Sequence, residues 1–454
     1  MIGRRAAVGG LLAASMALPP AKARASLLQV ERRPSETFTL ANGLQVVVLP
    51  SKRAPIVMQL LVYKVGSADE TFGGTGIAHF LEHMMFKGTG ALAPGEFSRI
   101  VSRNGGRDNA FTSMDMTGYH QTIAADRLEL VMRMEADRMA NLRIVEQELT
   151  PERQVVLEER RMRVDNVPAE LLDEAVREPL FGLHKPYAMP TIGYVDDVKR
   201  LSVDDLTAFY RRFYAPNNAV LIVAGDATAE EVKKLAETHY GPIPAREVEP
   251  RHRPAEGGGG LPQRVTRADA RVAEPRWSRD FLAPSYRGGE TRHAHALLVL
   301  AWLFGGGETS RLSRALVADA RLALSAGAGY SANRLGLSSF EISVHPAHGR
   351  SVAQVETAVG DQMKRVLDGD VTAEEVERAQ NRLLASAIYS RDSLASGPRL
   401  YGSLLATGGT IDKLDHWPQA IAAVRPDDVV AAARHVWRDD RSVTSLLTPA
   451  DGWP

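Results

Sequence analysis

The segment spanning residues 76–89 contains side chains that could bind a metal ion. It includes the order His79-x-x-Glu82-His83, and in a helix the two histidines lie one turn apart on one face. Both imidazoles can then reach one ion, as in zinc sites. Glu82 lies beside them and could take a proton from a water molecule at the metal. Because the order is the inverse of the common His-Glu-x-x-His motif, it predicts a hydrolytic zinc centre.

Two exposed histidines on an ordinary helix would give the same spacing. The neighbouring residues are apolar on most sides, which indicates a buried helix: Ile77, Ala78, Phe80, Leu81, Met84, Met85 and Phe86. Two imidazoles and a carboxylate are costly in such surroundings unless they are paired or bind an ion. The apolar context therefore favours the metal site.

A second predicted helix offers the third ligand that zinc needs. Glu152 and Glu159 are seven residues apart and share one helix face, whereas Glu158 points about 100° away. We expect Glu159 to be the ligand and Glu152 to be a neighbour that hydrogen-bonds a ligand. Thr150 is predicted to cap the start of this helix. Without the histidines, these carboxylates would be interpreted as solvated helix charges.

Composition excludes several kinds of site and partner. The chain of 454 residues has no cysteine, which excludes disulfides, thiolate metal sites and a thiol nucleophile. Its 55 Lys and Arg residues balance 55 Asp and Glu residues, so no overall field attracts nucleic acid, and we expect no nucleic-acid partner. The length is enough for two or more domains.

The first 25 residues have the pattern of an export signal. Arg4 and Arg5 precede an apolar stretch at residues 6–18, and Ala23-Arg24-Ala25 suits signal peptidase. We predict cleavage after Ala25 and a periplasmic location, reached by the Sec or the twin-arginine route. No stretch is long enough to span a membrane, so none is expected in the mature chain.

The mature chain contains two similar halves. Residues 201–224 align with residues 424–447 at a constant offset of 223, and each copy predicts a helix followed by a strand. The identical pairs include Asp204/Asp427, Asp205/Asp428, Ala208/Ala431, Arg211/Arg434 and Val220/Val443. We predict domains at 26–250 and 265–454, with a Gly/Pro-rich linker at 251–264.

Each half begins with strand-rich sequence, and long amphipathic helices follow. Residues 36–49 carry Asn42-Gly43, a hairpin turn signal, and a second helix start is predicted at Thr372. This order predicts an α+β fold of two homologous domains, each a mostly antiparallel sheet covered by helices on one face.

These motifs together resemble the pitrilysin family of zinc peptidases, which includes insulin-degrading enzyme and the mitochondrial processing peptidase. Matching segments cover nearly the whole mature chain; they include the 79–89 motif, 109–113 with Tyr119, 152–159, 184–187, 213–225 and 305–312. The resemblance implies an endopeptidase with one Zn²⁺ per chain on His79, His83 and Glu159, with Glu82 as base. It also implies that a peptide substrate adds as a β-strand beside Asn109, Ala110, Phe111 and Thr112.

The second half departs from the family pattern. At an offset of 218, Leu297, Leu300 and Ala301 stand where His79, Glu82 and His83 stand in the first half, and at an offset of 222 Asn381 stands where Glu159 stands. The second half is therefore expected to hold no zinc, and the chain to have one site, in its first half.

An arginine and a tyrosine seven residues apart, which bind substrate in self-sufficient members, are replaced by Val317 and Leu324. The resemblance therefore implies a heterodimer, in which a homologous zinc-free subunit supplies the pair. Arg321 or Tyr330 is the alternative source within the chain. Two other functions stay open: a non-catalytic scaffold subunit of the same family, and a zinc-dependent binding module.

Overall fold

The computed structural model describes residues 35–254 and 263–453. These residues form two β-sheets, one in each half of the chain. The strands are β1 Glu36–Thr39, β2 Gln45–Pro50, β3 Ile56–Tyr63, β4 Arg107–Thr112, β5 Thr117–Ala124, β6 Ala219–Gly225, β7 Gln263–Ala268, β8 Arg276–Ala283, β9 Ala323–Tyr330, β10 Ser338–Pro346 and β11 Ser442–Thr448. The predicted signal peptide and residues 255–262 of the predicted linker lie outside the described residues.

Helices cover the sheets and connect their strands. They are α1 Ile77–Met84, α2 Glu96–Arg103, α3 Leu128–Asn141, α4 Glu146–Arg160, α5 Pro168–Phe181, α6 Val195–Arg200, α7 Val203–Phe213, α8 Ala229–His239, α9 Ala294–Gly305, α10 Val352–Leu367, α11 Ala373–Tyr389, α12 Ser396–Ala406, α13 Ile411–Asp415, α14 Trp417–Ala422 and α15 Pro426–Val436. Within the described ranges, no helix combines the length and the apolar character needed to cross a membrane.

The two sheets share one topology. The first has the strand order β1-β2-β6-β3-β5-β4 and the second β7-β11-β8-β10-β9. In each sheet one pair is parallel, β2 with β6 and β7 with β11, and the other pairs are antiparallel. Strand β1 is an addition to the first sheet, joined by the predicted hairpin in which Gly43 has a φ of 86°. The predicted α+β class with two similar halves is confirmed.

The first sheet buries both of its faces. Val46 and Val48 belong to the core that its own helices cover, whereas Val47 and Leu49 lie on the opposite face, as the two-residue period of a strand requires. Helix α12 from the second half packs on that opposite face. A Cβ atom on Gly402 would lie 2.9 Å from Val62, so this glycine lets α12 approach the sheet closely.

The second sheet receives a helix in return. Val176 and Leu180 of α5, in the first half, pack against Leu282, Leu337 and Val443 of the second half. Each half therefore contributes one helix to the far face of the other half's sheet. The sequence pattern predicted helices on one face of each sheet only, because periodicity within an element does not identify its partner.

Buried ion pairs also join the halves. The guanidinium of Arg253, in the predicted linker, lies 2.9 Å from Asp69 and 3.1 Å from Asp115. Tyr187 donates to Asp115 at 2.9 Å, and the backbone N–H of Leu335 in the second half donates to the same carboxylate at 3.2 Å. Arg253, near the start of the predicted linker, is thus part of a fixed contact between the halves.

One predicted helix start is wrong. Helix α4 begins at Glu146, and Thr150 lies inside it, where its hydroxyl donates to the Glu146 side chain at 2.7 Å. Leu149 is fully buried and continues the apolar face of Val156 toward the N-terminus, so burial extends the helix upstream. Pro151 lies in the second turn, where it removes a single backbone hydrogen bond. The predicted cap at Thr372 is confirmed, since its hydroxyl accepts from the N–H of Glu375.

Candidate metal centre

Helix α1 carries the metal-binding motif and its start is firmly held. Gly76 adopts a φ of 86°, and a Cβ atom there would lie 2.7 Å from the carbonyl oxygen of Ile192. The carboxylate of Glu70 accepts hydrogen bonds from the N–H groups of Gly76 and Ala78 at 2.8 and 2.9 Å. Burial raises the pKa of Glu70 well above its usual value, although both hydrogen bonds oppose this shift. The helix start is therefore determined by glycine geometry and a buried carboxyl group.

The predicted ligand atoms converge between α1 and α4. Nε2 of His79 lies 3.6 Å and Nε2 of His83 3.1 Å from Oε2 of Glu159. One nitrogen or oxygen from each residue lies within 4.8 Å of the other two. Ligand atoms in a tetrahedral zinc centre with bonds of about 2.0–2.1 Å lie roughly 3.3 Å apart, so the three side chains fit a zinc ion.

The two imidazoles differ in pKa. Burial and the adjacent His83 lower the pKa of His79 to about 4. Burial acts in the same direction on His83, but hydrogen bonds to Glu152 and Glu159 outweigh it and raise the pKa to about 9. The two carboxylates therefore favour positive charge at His83, and a cation is well stabilised between them.

Glu152 supports His83 from the other side of the ring. Its Oε1 lies 2.8 Å from Nδ1 of His83, and its other oxygen forms an ion pair with Lys87. Burial would raise the pKa of Glu152, but the hydrogen bonds from His83 and Lys87 lower it below the usual value. The spacing of Glu152 predicted its place near a ligand. Lys87 could not be predicted in this way because it lies beyond the end of α1, where helical spacing does not apply.

Glu159 has a second partner that the sequence analysis also missed. Arg163 lies 2.8 Å from Oε1 of Glu159, which leaves Oε2 facing the histidines. The spacing of four residues was a signal for this pair. Since Arg163 is largely exposed, it orients the carboxylate from the solvent side.

Glu82 belongs to the metal-binding helix α1, and its carboxylate contacts the edge strand β4. The hydroxyl of Thr112, in β4, donates to Oε2 of Glu82. Burial raises the pKa of Glu82 above its usual value, and the Thr112 hydrogen bond opposes the shift. A carboxylate with a raised pKa is suited to accept and return a proton near neutral pH.

Strand β4 has one free edge among the described residues. It pairs with β5 alone, with Asn109 opposite His120 and Ala110 opposite Tyr119. The four residues named from the resemblance, Asn109, Ala110, Phe111 and Thr112, all lie in this strand. Its last residue is the one that contacts Glu82, so the free edge begins beside the candidate base.

The matching region of the second half has no such ligands. Leu297, Leu300 and Ala301 are buried in α9. Leu324 is 56% exposed in β9, the edge strand of the second sheet. The hydroxyl of Tyr330 donates to the carbonyl oxygen of Pro284 at 2.6 Å, so it is engaged within its own half.

Comparisons with known proteins identify two matching regions. Residues 46–191 match the family model described as insulinase (peptidase family M16), and residues 200–383 match the model described as the peptidase M16 inactive domain. The zinc protease PqqE of Helicobacter pylori is 31% identical over 420 residues, which cover 91% of this chain and 93% of that protein.

Solved structures share the fold. A protease from Helicobacter pylori has a TM-score of 0.84 and 29% identity, and the match covers 92% of this chain and all of that one. The first half of the periplasmic protease PqqL from Escherichia coli has a TM-score of 0.77 at 20% identity, with 91% of this chain and 92% of that one covered. The predicted resemblance is confirmed, and the chain belongs to peptidase family M16, the insulinase family.

Proposed function

We propose that this chain is a zinc-dependent endopeptidase that hydrolyses unstructured peptides. The observation that carries the proposal is the convergence of His79 Nε2, His83 Nε2 and Glu159 Oε2 on one point. Zinc, when bound there, supplies Lewis-acid polarisation of the scissile carbonyl and of water. The zinc protease names of the relatives support this assignment.

Each side chain of the site has a role in the proposed reaction. Glu82 accepts a proton from the attacking water and returns it to the leaving amine. Glu152 fixes the orientation of the His83 ring, and Lys87 holds Glu152 in place. Thr112 directs the Glu82 carboxylate toward β4.

The substrate adds as an extended strand to the free edge of β4. Backbone hydrogen bonds to residues 109–112 align the peptide, and the contact between Thr112 and Glu82 brings the base to the end of that strand. Folded proteins are poor substrates because their backbone groups are already paired.

A homologous zinc-free subunit completes the enzyme. Val317 and Leu324 cannot donate hydrogen bonds to a developing oxyanion. The hydrogen bond of Tyr330 to Pro284 argues against Tyr330 as the alternative source within the chain, and Arg321 remains the other alternative. Loss of one such donor typically costs about 3–4 kcal/mol of transition-state stabilisation, so the partner's arginine and tyrosine are needed for full activity. Isolation of the mature chain alone as a fully active monomer would refute this part of the proposal.

The enzyme is exported to the periplasm. Residues 1–25 contain positive charges, then an apolar stretch and then small residues, and this order supports export. The periplasmic description of PqqL in Escherichia coli is consistent with it. In the exported chain, residues 26–250 form the zinc-binding domain and residues 265–454 the domain without the matching site.

The direct test is cleavage of a mixed set of unstructured peptides by the mature chain, with its zinc content measured in parallel. Glu82→Gln should retain zinc and lose about 10²–10⁴-fold in cleavage rate. Retained zinc with unchanged turnover would refute the role of Glu82. A binding module predicts a different result. The parent chain and Glu82→Gln would then both retain zinc and bind peptide, and neither would hydrolyse it.

A further inference from the structure

We propose that the second half binds a divalent transition-metal ion at Glu290, His293 and His435. Glu290 and His293 flank a single helical turn at the start of α9, and His435 lies in the last turn of α15. This cluster does not correspond to the first metal site. The positions that align with His79, Glu82 and His83 are Leu297, Leu300 and Ala301, in the middle of α9.

The geometry of the cluster resembles that of the first site. Nε2 of His293 lies 3.7 Å from Oε2 of Glu290, and Nδ1 of His435 lies 3.8 Å from Oε1 of the same carboxylate. One ligand atom from each of the three residues lies within 4.8 Å of the other two. These distances are somewhat longer than the roughly 3.3 Å separation of ligand atoms in a tetrahedral zinc centre, so the side chains must move closer when an ion binds.

A cation already occupies part of this cluster. The guanidinium of Arg292 donates from Nε to Nε2 of His293 at 3.3 Å and from Nη2 to Oε2 of Glu290 at 2.6 Å. The same two atoms would bind the metal ion. The Arg292 side chain is 76% exposed, so it can leave to solvent when an ion binds. Arg292 therefore competes with the metal and weakens its binding.

The two imidazoles lie side by side. Their rings stack with centroids 4.8 Å apart and an angle of 19° between planes.

Other charges around the cluster act in both directions. Arg438 and Arg441 lie near His435 and disfavour a cation, although Arg438 is paired with Asp440 at 2.7 Å. Asp428 lies near His293 and favours a cation. Two imidazoles and one carboxylate select zinc and its transition-metal neighbours over Ca²⁺ and Mg²⁺, which prefer all-oxygen sites.

The consequence of binding is structural. An ion at this place would join the start of α9 to the end of α15, two helices that already pack together in the core of the second half. Metal would then stabilise the second half and raise the zinc content to two per chain, without a part in peptide cleavage.

The test uses the full chain carrying Glu159→Gln, which disables the first site, and measures Zn²⁺ binding by isothermal titration. We expect one remaining site, weakened at least tenfold by Glu290→Gln or His435→Gln. It should be unchanged by His416→Gln, a control on an exposed histidine in the turn between α13 and α14. Arg292→Ala should tighten binding severalfold. Circular dichroism of each variant checks folding, and Glu290→Gln remains informative if His435→Gln is unstable because Glu290 is half exposed.

Two outcomes would overturn the proposal. One is the same Zn²⁺ affinity in the Glu290 and His435 variants as in the Glu159→Gln parent. The other is no Zn²⁺ binding in either this parent or its Arg292→Ala variant. Because this measurement needs no peptide cleavage, its failure is distinguishable from failure of the proposed peptidase activity.

Discussion

Nδ1 of His83 lies 2.8 Å from Oε1 of Glu152, while Nε2 of the same ring lies 3.1 Å from Glu159. The ring is thus held between two carboxylates on one helix, α4, seven residues apart. One carboxylate determines the tautomer and orientation of the ring, and the other shares the position where a metal ion would bind. Because Glu152 and Glu159 are seven residues apart, they lie on the same face of α4, where Glu152 orients the His83 ring and Glu159 lies at the metal-binding position.

Glu152→Gln should weaken zinc binding by about 10–100-fold, because the amide keeps a hydrogen-bonding atom but loses the charge that makes His83 a strong ligand. Competition with a fluorescent zinc chelator measures the change. Glu158→Gln is the matched control, since this residue is on the same helix but exposed. Equal zinc affinity in the two variants would show that Glu152 does not support the metal site.

Strand addition at β4 predicts a periodic response to backbone modification of the substrate. An added strand uses the N–H groups of alternate residues, so N-methylation should reduce kcat/KM at every second position and have little effect between them. Each lost hydrogen bond should cost on the order of 1 kcal/mol, about fivefold. The measurement is kcat/KM for a series of singly N-methylated peptides, with the unmodified peptide as control. A uniform response along the peptide would argue against an added strand.

Local periodicity in the sequence predicted part of the site, but not its tertiary partners. The spacing of His79, His83 and Glu159 was enough to propose a common ligand set, because helix geometry converts spacing into direction. Lys87 and Glu70 were missed since each acts from an irregular segment whose path depends on the folded chain. The prediction at Thr150 was wrong because a Thr-Pro-Glu sequence suits a helix cap. The preceding turn is buried, so the helix begins earlier, at Glu146.

The repeat of 223 residues likewise predicted two similar sheets. It did not predict the reciprocal exchange of α5 and α12, because an amphipathic helix is compatible with any apolar face of the right size. The contacts of Arg253 could not be predicted either. Its Gly/Pro-rich neighbours indicate a linker, whereas the carboxylates that bury this arginine are more than 130 residues away in the sequence.

Asp115→Ala should destabilise the contact between the halves. This carboxylate accepts from Arg253, Tyr187 and the N–H of Leu335, so its removal leaves a buried guanidinium partly compensated by Asp69. Loss of one partner from a buried ion pair costs about 3–5 kcal/mol. Urea unfolding followed by tryptophan fluorescence measures the difference.

The control for this prediction is Asp412→Ala, at an exposed position in α13. Equal free energies of unfolding for the Asp115 and Asp412 variants would show that the buried network does not hold the halves together.

Asp280 predicts a pH-dependent stability away from the metal site. It lies opposite Glu341 on the neighbouring strand and near Asp173 of α5, and burial followed by these two carboxylates raises its pKa to about 8, with Arg276 opposing. In the unfolded chain an Asp titrates near about 3.9, so the unfolded state loses its proton first. Stability is therefore full below about pH 4 and falls as pH rises toward 8.

Asp280→Asn removes this loss, so the variant should gain stability over the parent protein as pH rises from 5 to 8, by up to a few kcal/mol. Urea unfolding at pH 5, 7 and 9 measures the change, and Asp361→Asn on the exposed side of α10 is the control. A difference between parent and variant that does not change with pH would show that Asp280 ionises normally in the folded protein.

The proposed dependence on a partner predicts a gain of function. Val317 and Leu324 occupy the two positions where self-sufficient relatives are expected to carry arginine and tyrosine. Leu324 is exposed on an edge strand, so a tyrosine fits there without repacking the core. If the missing donors limit catalysis, the double variant Val317→Arg with Leu324→Tyr should raise kcat of the chain alone by about 10²–10³-fold.

The matched control for this gain is Val317→Met with Leu324→Phe, which adds similar bulk but no hydrogen-bond donor. Cleavage of an unstructured peptide by zinc-loaded protein compares the parent chain with both variants. Activity that rises only in the Arg/Tyr variant supports a donor pair supplied from outside the chain. A parent chain already as active as the Arg/Tyr variant would mean that its own residues stabilise the oxyanion, and the search for those donors would return to the first half.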